Sequence, residues 1–372
     1  MEVFLFCLVS VLVCEVFVQL LPVQKKRKRQ LFALFIFVLL FLFSALRADC
    51  VGGDLSNYIP VFQDVKMMNG VDVFHRWEPG FMLFLKIISY VSIDTRWFLF
   101  ATSVLIMTLM SFYIYKNSPM LWMSVLLFIV LGYYSNTMNI IRHSIALAIT
   151  LNSINDIVYR NFKGFVLKIL LASLFQITSF VFILAYACSY FKFSYFKYIL
   201  AIIVSVIVVS MGKAMSLMLV LISIFMSKYD GFTAMDSEIG SGYALACFMA
   251  FFVWFLRCIY LYLCDCVDVV VIRKVNVYFN LQLFGIVFQC FFAPLFGAAS
   301  RIAIFYFCPL IILAPYIISM IRDARFKFLS IVGVIAMVFV FYMYTGGVNP
   351  ETLTNSDMTL PYYFFWQVPS LY

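Results

Sequence analysis

Residues 3–45 read VFLFCLVSVLVCEVFVQLLPVQKKRKRQLFALFIFVLLFLFSA, two apolar runs (3–21 and 31–45) on either side of Lys25, Lys26, Arg27, Lys28 and Arg29. Neither run alternates apolar with polar residues, so a β reading fails. Their lengths are of the order of the ~20 residues that an α-helix needs to cross the ~30 Å of bilayer hydrocarbon. A cationic cluster between two such runs is a topology signal, because loops that stay in the cytoplasm are rich in Lys and Arg. Acidic Glu2 precedes the first run and the basic cluster follows it, the reverse of a cleaved leader, so the first run reads as a retained span.

The rest of the chain follows the same pattern. Of its 372 residues 65% are hydrophobic and only 12% charged, and the mean hydropathy is +1.05. That is too much apolar surface for a water-soluble body, whose exterior must be substantially polar. Further apolar segments lie at 81–93, 97–115, 120–134, 140–158, 164–191, 198–226, 243–264, 277–296, 302–320 and 328–344. The sequence therefore predicts an all-α, polytopic integral membrane bundle of about 10–12 spans. It reads as a single domain, 1–372, with an outer loop at 47–79 and an outward C-terminal tail at 346–372. Arg322, Arg325 and Lys327 make the last basic connection cytoplasmic. The middle admits two arrangements: every segment spans, or the short 81–93 segment re-enters while 198–226 breaks near Gly212 and Lys213. The second starts the helix of Asn139 and Arg142 on the outer side and is preferred, because it also puts Arg160 and Lys163 inside, though it leaves Lys192 and Lys197 outside.

Ten cysteines are present, but Cys7, Cys14, Cys188, Cys247, Cys258, Cys290 and Cys308 sit in apolar runs, where they act as small hydrophobes. With two histidines in the chain, no metal site and no cofactor are expected. The net charge of +9 draws heavily on the 25–29 cluster, so it is no nucleic-acid footprint. No Gly-rich phosphate loop, nucleophile elbow or soluble nucleotide-binding domain is visible.

Candidate chemistry concentrates in a few places. The outer loop contains Gly52-Gly53-Asp54, Tyr58 and Phe62, and closes on Trp77-Glu78-Pro79-Gly80-Phe81. An acid at a membrane boundary can accept a proton or position a hydroxyl. The competing reading is that Asp54 and Glu78 are solvated loop charges; Glu78 before Pro79 also suits a helix N-terminus, where a carboxylate complements the dipole. Asn136, Asn139, His143, Ala146, Thr150 and Ser153 recur at helical spacing with Arg142 at the edge of the stripe. Arg142 fits as a bidentate clamp for a diphosphate, or as an arginine that snorkels or pairs structurally with a carboxylate. His143 reads as a base or as a packed, hydrogen-bonded histidine. Arg301, after Gly297-Ala298-Ala299-Ser300, is a ligand or an interfacial anchor.

In order, Arg47 … Gly53-Asp54 … Tyr58 … Phe62, Glu78-Pro79-Gly80-Phe81, Asn139-x-x-Arg142-His143-x-x-Ala146, Ser300-Arg301 … Tyr306 and Leu360-Pro361-Tyr362 resemble the EpsG-like family, grouped with the Wzy-type O-antigen and capsule polymerases. Two positions depart from the family pattern. His143 stands where Gln is usual, and Gln176, in Phe175-Gln176-Ile177-Thr178, stands where a histidine is frequent, which puts a histidine base at 176 in doubt. The resemblance implies a GT-C-like polymerase at the outer face of a bacterial inner membrane. Its substrate would be undecaprenyl-diphosphate-linked oligosaccharide, and a chain-length regulator, a flippase and a ligase of the same pathway would be its partners in the membrane. For such a reaction the residues themselves point to Glu78, Asp54 and Arg142 in catalysis and to Arg301, Arg47, Tyr58, Asn139 and His143 in substrate binding, with neither metal nor nucleic acid. A lipid-linked oligosaccharide flippase, an O-antigen ligase and a structural membrane protein are the rival classes.

Overall fold

A computed structural model describes residues 2–68, 76–191, 199, 203, 239–263, 269–292, 299–345 and 359–367. The helices, in chain order, are α1 (Glu2–Leu20), α2 (Lys25–Ala45), α3 (Leu55–Asp64), α4 (Pro79–Val91), α5 (Thr95–Asn117), α6 (Leu121–Val130), α7 (Tyr133–Asn139), α8 (Ile141–Leu151), α9 (Ile154–Val158) and α10 (Phe162–Ser173). A 3₁₀ helix (Ile177–Ile183) leads into α11 (Leu184–Cys188); then come α12 (Ile239–Tyr262), α13 (Val269–Phe292), α14 (Ala299–Phe307), α15 (Leu310–Met320) and α16 (Ala324–Thr345). Strand pairing among the described residues is confined to an isolated bridge between Arg47 and Phe364. Seven described helical segments are long and apolar enough to cross a membrane, or eight if the pair α6–α7, bent by 55°, counts as one. The exposed side chains of α1 include Leu5, Phe6, Val13, Val16 and Phe17, and those of α16 include Phe328, Leu329, Phe339 and Val340. Such faces are stable only against lipid or other apolar groups. The all-α, polytopic membrane architecture expected from the sequence is therefore the one observed.

Among the described residues, two of the expected apolar runs are broken. Segment 140–158 is two pieces, α8 and α9, and 164–191 is α10, the 3₁₀ helix and α11. Segment 198–226, with Gly212 and Lys213, lies outside the described residues apart from 199 and 203. The basic cluster is the first turn of α2 rather than a loop.

The chain divides into two compact units: Met1–Ser153 with Leu167–Phe180 and Ala314–Tyr372, and Ile154–Val166 with Val181–Leu313. In the first, hydrogen bonds fix how the helices alternate. Arg29, at the start of α2, donates to the carbonyls of Tyr115 and Ser118 at the end of α5. Ser44 and Ser103 share a hydrogen bond of 2.9 Å, and Arg47 lines a cleft with Asp94 and Thr95 at the start of α5. Thus α2 and α5 are antiparallel. The chain from the end of α2 to the start of α5 leaves from and returns to one end of this pair, called here the loop end. The 13 residues of α4 span only ~20 Å, so α4 is a short element within that excursion. Next, α6 starts at the basic end, where Trp122 and Pro119 line a cleft with Lys25 and Lys28. After the bend, α7 delivers Met138 and Asn139 to the loop end, where they meet Arg47 and Asp54. Helix α8 then turns back, and Asn152 just past its end donates to the Leu109 carbonyl of α5 at 3.1 Å.

Segment 359–367 also belongs to the loop end. Ala48 N donates to Tyr363 O at 2.9 Å, Phe365 N to Leu46 O at 3.0 Å, and the Tyr362 hydroxyl to the carbonyl of Phe43. The Leu360-Pro361-Tyr362 motif is thereby docked on the entrance to the 47–79 loop. In the second unit α13 is the central helix. Its buried Gln282 donates to Tyr306 O of α14 at 2.8 Å, and the Tyr306 hydroxyl reaches Val181 O at 2.8 Å.

Candidate active site

The site begins with a break. Ile140, at φ −90° and ψ 67°, separates α7 from α8, so the stripe from Asn136 to Ser153 is not one continuous helical face. Asn136 and Asn139 belong to α7, His143, Ala146 and Thr150 to α8, and Ser153 to the turn after it. Ser144 Oγ donates back to Asn136 O at 3.0 Å and ties the two pieces together. A helix end has carbonyls without intrahelical partners, and here Met138 O accepts from Arg47 Nη2 at 3.2 Å.

The 47–54 segment wraps this helix end. Arg47 is 1% exposed; besides Met138 O, its guanidinium donates to the Ser44 carbonyl and hydroxyl. As placed, Arg47 holds the loop to the bundle through carbonyls. Gly52 sits at φ +114°, and a Cβ there would lie 2.5 Å from Met138 O, so both the left-handed backbone and the close approach require glycine. Two residues on, the Asp54 amide donates to Asn139 Oδ1 at 2.9 Å and Asp54 begins α3. The expected solvated loop is therefore partly a packed helix, with Leu55, Tyr58, Ile59, Val61 and Phe62 buried.

Arg142, in the first turn of α8, meets what α3 and the 76–79 segment present. Its Nη1 is 2.5 Å from Glu78 Oε2, with side chains 21% and 14% exposed respectively. Its guanidinium lies 4.9 Å from the Trp77 ring centroid and 5.9 Å from that of Tyr58, while the Tyr58 and Trp77 rings meet edge to face at 5.2 Å. Cation–π attraction and the ion pair together hold the guanidinium plane in place. Pro79 occupies the first turn of α4, as the sequence suggests, but the Glu78 carboxylate makes no cap bond to its own helix. Its second oxygen, Oε1, accepts from Ile177 N at 3.1 Å, the first residue of the 3₁₀ helix.

Gly80 explains why that segment is so near. Gly80 N donates to Leu174 O at 2.8 Å, and a Cβ on Gly80 would lie 2.7 Å from Leu174 Cβ and 2.8 Å from Leu174 O. Gly80→Ala must therefore push Glu78 and Ile177 apart. The expected cost is about 1–3 kcal/mol, read as lowered thermal stability in detergent together with reduced activity. A variant that melts and acts like wild type would show that this approach is not required.

Six sequence candidates, Arg47, Asp54, Tyr58, Glu78, Asn139 and Arg142, thus share one connected cluster in the first unit. His143 is adjacent in sequence and 4% exposed. Arg301 lies in the second unit, exposed on α14. Sequence reasoning missed the Ile177 amide and the Leu174 carbonyl, which bring Gln176 main-chain neighbours to the site. It also did not give Trp77 a role of its own, although adjacency to Glu78 pointed there. Among the described residues no group of three or more His, Cys, Asp or Glu side chains is arranged to hold a metal ion.

Residues 30–364 match the EpsG family, a group of Wzy-like polysaccharide polymerases. The match covers nearly the whole chain, which therefore belongs to that family. No curated protein and no solved structure matches it.

Proposed function

We propose that this EpsG-family chain joins undecaprenyl-diphosphate-linked oligosaccharide repeats by a GT-C-like transfer at the outer face of a bacterial inner membrane. The observation that carries the proposal is the Arg142–Glu78 pair beneath Trp77 and Tyr58, an arginine and a carboxylate drawn from separate elements to one end of the bundle. A hydroxyl of the incoming repeat attacks the anomeric carbon of the lipid-linked chain. The new C–O bond forms as the bond to the diphosphate oxygen breaks, and the diphosphate leaves with the electron pair. Arg142 supplies a planar, two-pronged cation for that leaving group. The acceptor proton goes to a carboxylate.

Glu78 is the stronger of the two acids for that role. A diphosphate arriving at Arg142 competes with Glu78 for the same guanidinium, while the Ile177 amide keeps the carboxylate in place as it is released to act as base. Asp54, Asn139 and Tyr58 position the acceptor sugar and His143 adds to the substrate contacts, while Arg47 keeps the loop that carries Asp54 in place through the Ser44 and Met138 carbonyls. The chain-length regulator, flippase and ligase of the pathway are the membrane partners this role requires.

Mass analysis of the lipid-linked pool after gene deletion tests the reading. Single repeats should accumulate on the outer leaflet. Accumulation on the inner leaflet would instead identify a flippase, and undiminished lipid-linked ladders that never reach their final acceptor would identify a ligase.

A further inference from the structure

The docked C-terminal segment builds a second concavity at the loop end. It is a cleft of about 450 Å³ whose lining includes Asp49, Asp94, Arg96, Phe365, Trp366 and Gln367. The volume falls within the ~300–1,000 Å³ of ligand-holding clefts. Trp366 is 59% exposed, yet its ring is fixed: it stacks on Phe364 with centroids 4.5 Å apart and planes 5° off parallel. The turn beneath it is closed twice, by Phe364 N to Gln367 Oε1 at 2.8 Å and Gln367 N to Phe364 O at 2.9 Å. In the same lining, Asp94 caps α5 through Arg96 N at 2.9 Å and pairs with the Arg96 side chain at 3.2 Å. The Arg96 guanidinium lies 5.5 Å from the Phe365 ring centroid.

An aromatic face held beside carboxylates is what a pyranose requires. The apolar C–H face of the sugar lies on the ring, and its hydroxyls donate to carboxylate lone pairs left over from existing bonds. Aromatic residues also gather at membrane interfaces, but that role needs neither a closed turn nor an Asp–Arg pair in the same lining. Buried Arg47 forms part of the cleft wall and also donates to Met138 O, so the cleft and the Glu78–Arg142 site share one rigid support.

The geometry points to a carbohydrate subsite in this cleft, where Trp366, Phe365 and Asp94 hold a neutral pyranose of the glycan away from the reacting bond. This rests on the polymerase reading and names where that reaction's glycan is gripped.

The test uses the full chain in detergent and, as probe, the free repeat oligosaccharide released by mild acid from the lipid-linked pool of the producing cell. Saturation-transfer NMR and tryptophan fluorescence report binding. Wild type should bind, Trp366→Ala should weaken binding at least tenfold, and Trp366→Tyr should restore most of it. Asp94→Asn, which keeps an N-cap residue, should weaken binding without unfolding α5, and in cells both weakened variants should shift the polymer ladder to shorter chains. No binding by wild type, or equal binding by wild type, Trp366→Ala and Asp94→Asn, would overturn the subsite. Because the probe needs no catalysis, failure of the polymerase reading shows separately, as wild type that leaves lipid-linked repeats unconsumed.

Discussion

Arg142→Ala is expected to abolish the polymer ladder while the protein remains in the membrane at wild-type abundance. Removing a preorganised charge from a developing anion costs about 10²–10³ in rate at comparable sites. The Trp77 and Tyr58 rings fix the Arg142 guanidinium, so its position is already set when the diphosphate displaces Glu78 from it. Arg142→Lys should recover only a small part, because an ammonium is a point charge without the planar fork that grips two oxygens or stacks on Trp77. The measurement is turnover of synthetic lipid-linked repeats by purified variants, with thermal stability measured alongside. Wild-type ladders from Arg142→Ala would leave the arginine as a structural tie.

Much of this arrangement is legible in the sequence, and the unread part has physical reasons. Apolar run length marks α1, α2, α5 and α12 because lipid exposure leaves no polar gaps to read. Helical spacing misleads across α7–α8, because the break in the Asn136–Ser153 stripe at Ile140 needs neither Gly nor Pro and is held instead by the Ser144 hydroxyl. The glycines of Gly52-Gly53-Asp54 and Glu78-Pro79-Gly80-Phe81 are visible as motifs. Their cause, a backbone pressed against Met138 and against Leu174, is not, because the partner is main chain far away in sequence. Main-chain donors such as Ile177 N have no residue signature at all. The docking of 359–367 on 46–48 is equally silent, since it runs through backbone bonds and through Tyr362 to a carbonyl. Charged side chains at membrane depth are costly enough to stand out, so Arg142 was readable as a site residue before its partner was known. The sequence reading gave Arg142 an unnamed carboxylate as one alternative, and gave Glu78 a helix terminus. The structure joins those two readings in one pair.

Glu78→Gln is the variant that separates catalysis from architecture, and it is expected to eliminate polymer formation in a folded protein. The amide keeps the shape and can still accept from Ile177 N, so the loss falls on charge alone. That charge has two potential uses, as partner of Arg142 and as acceptor of the hydroxyl proton, the second worth about 10²–10⁴ in rate. Destabilisation from leaving Arg142 without its counter-charge should be up to about 3 kcal/mol, toward the low end for buried pairs because both side chains keep some solvent contact. A second substitution distinguishes the uses. If the pair is only structural, Glu78→Gln combined with Arg142→Met removes both charges, relieves the uncompensated arginine and returns ladders along with stability. If both groups act on substrate, the double variant regains stability and stays inactive, because no partner replacement restores a base or a diphosphate clamp. Asp54→Asn provides the internal comparison: it leaves the Asp54 amide bond to Asn139 intact, so a positioning role predicts a raised KM with kcat largely kept. Turnover by Glu78→Gln that survives at wild-type rates, and falls only when Asp54→Asn is added, would move the base from Glu78 to Asp54; turnover persisting in that double variant would remove a carboxylate base from the mechanism.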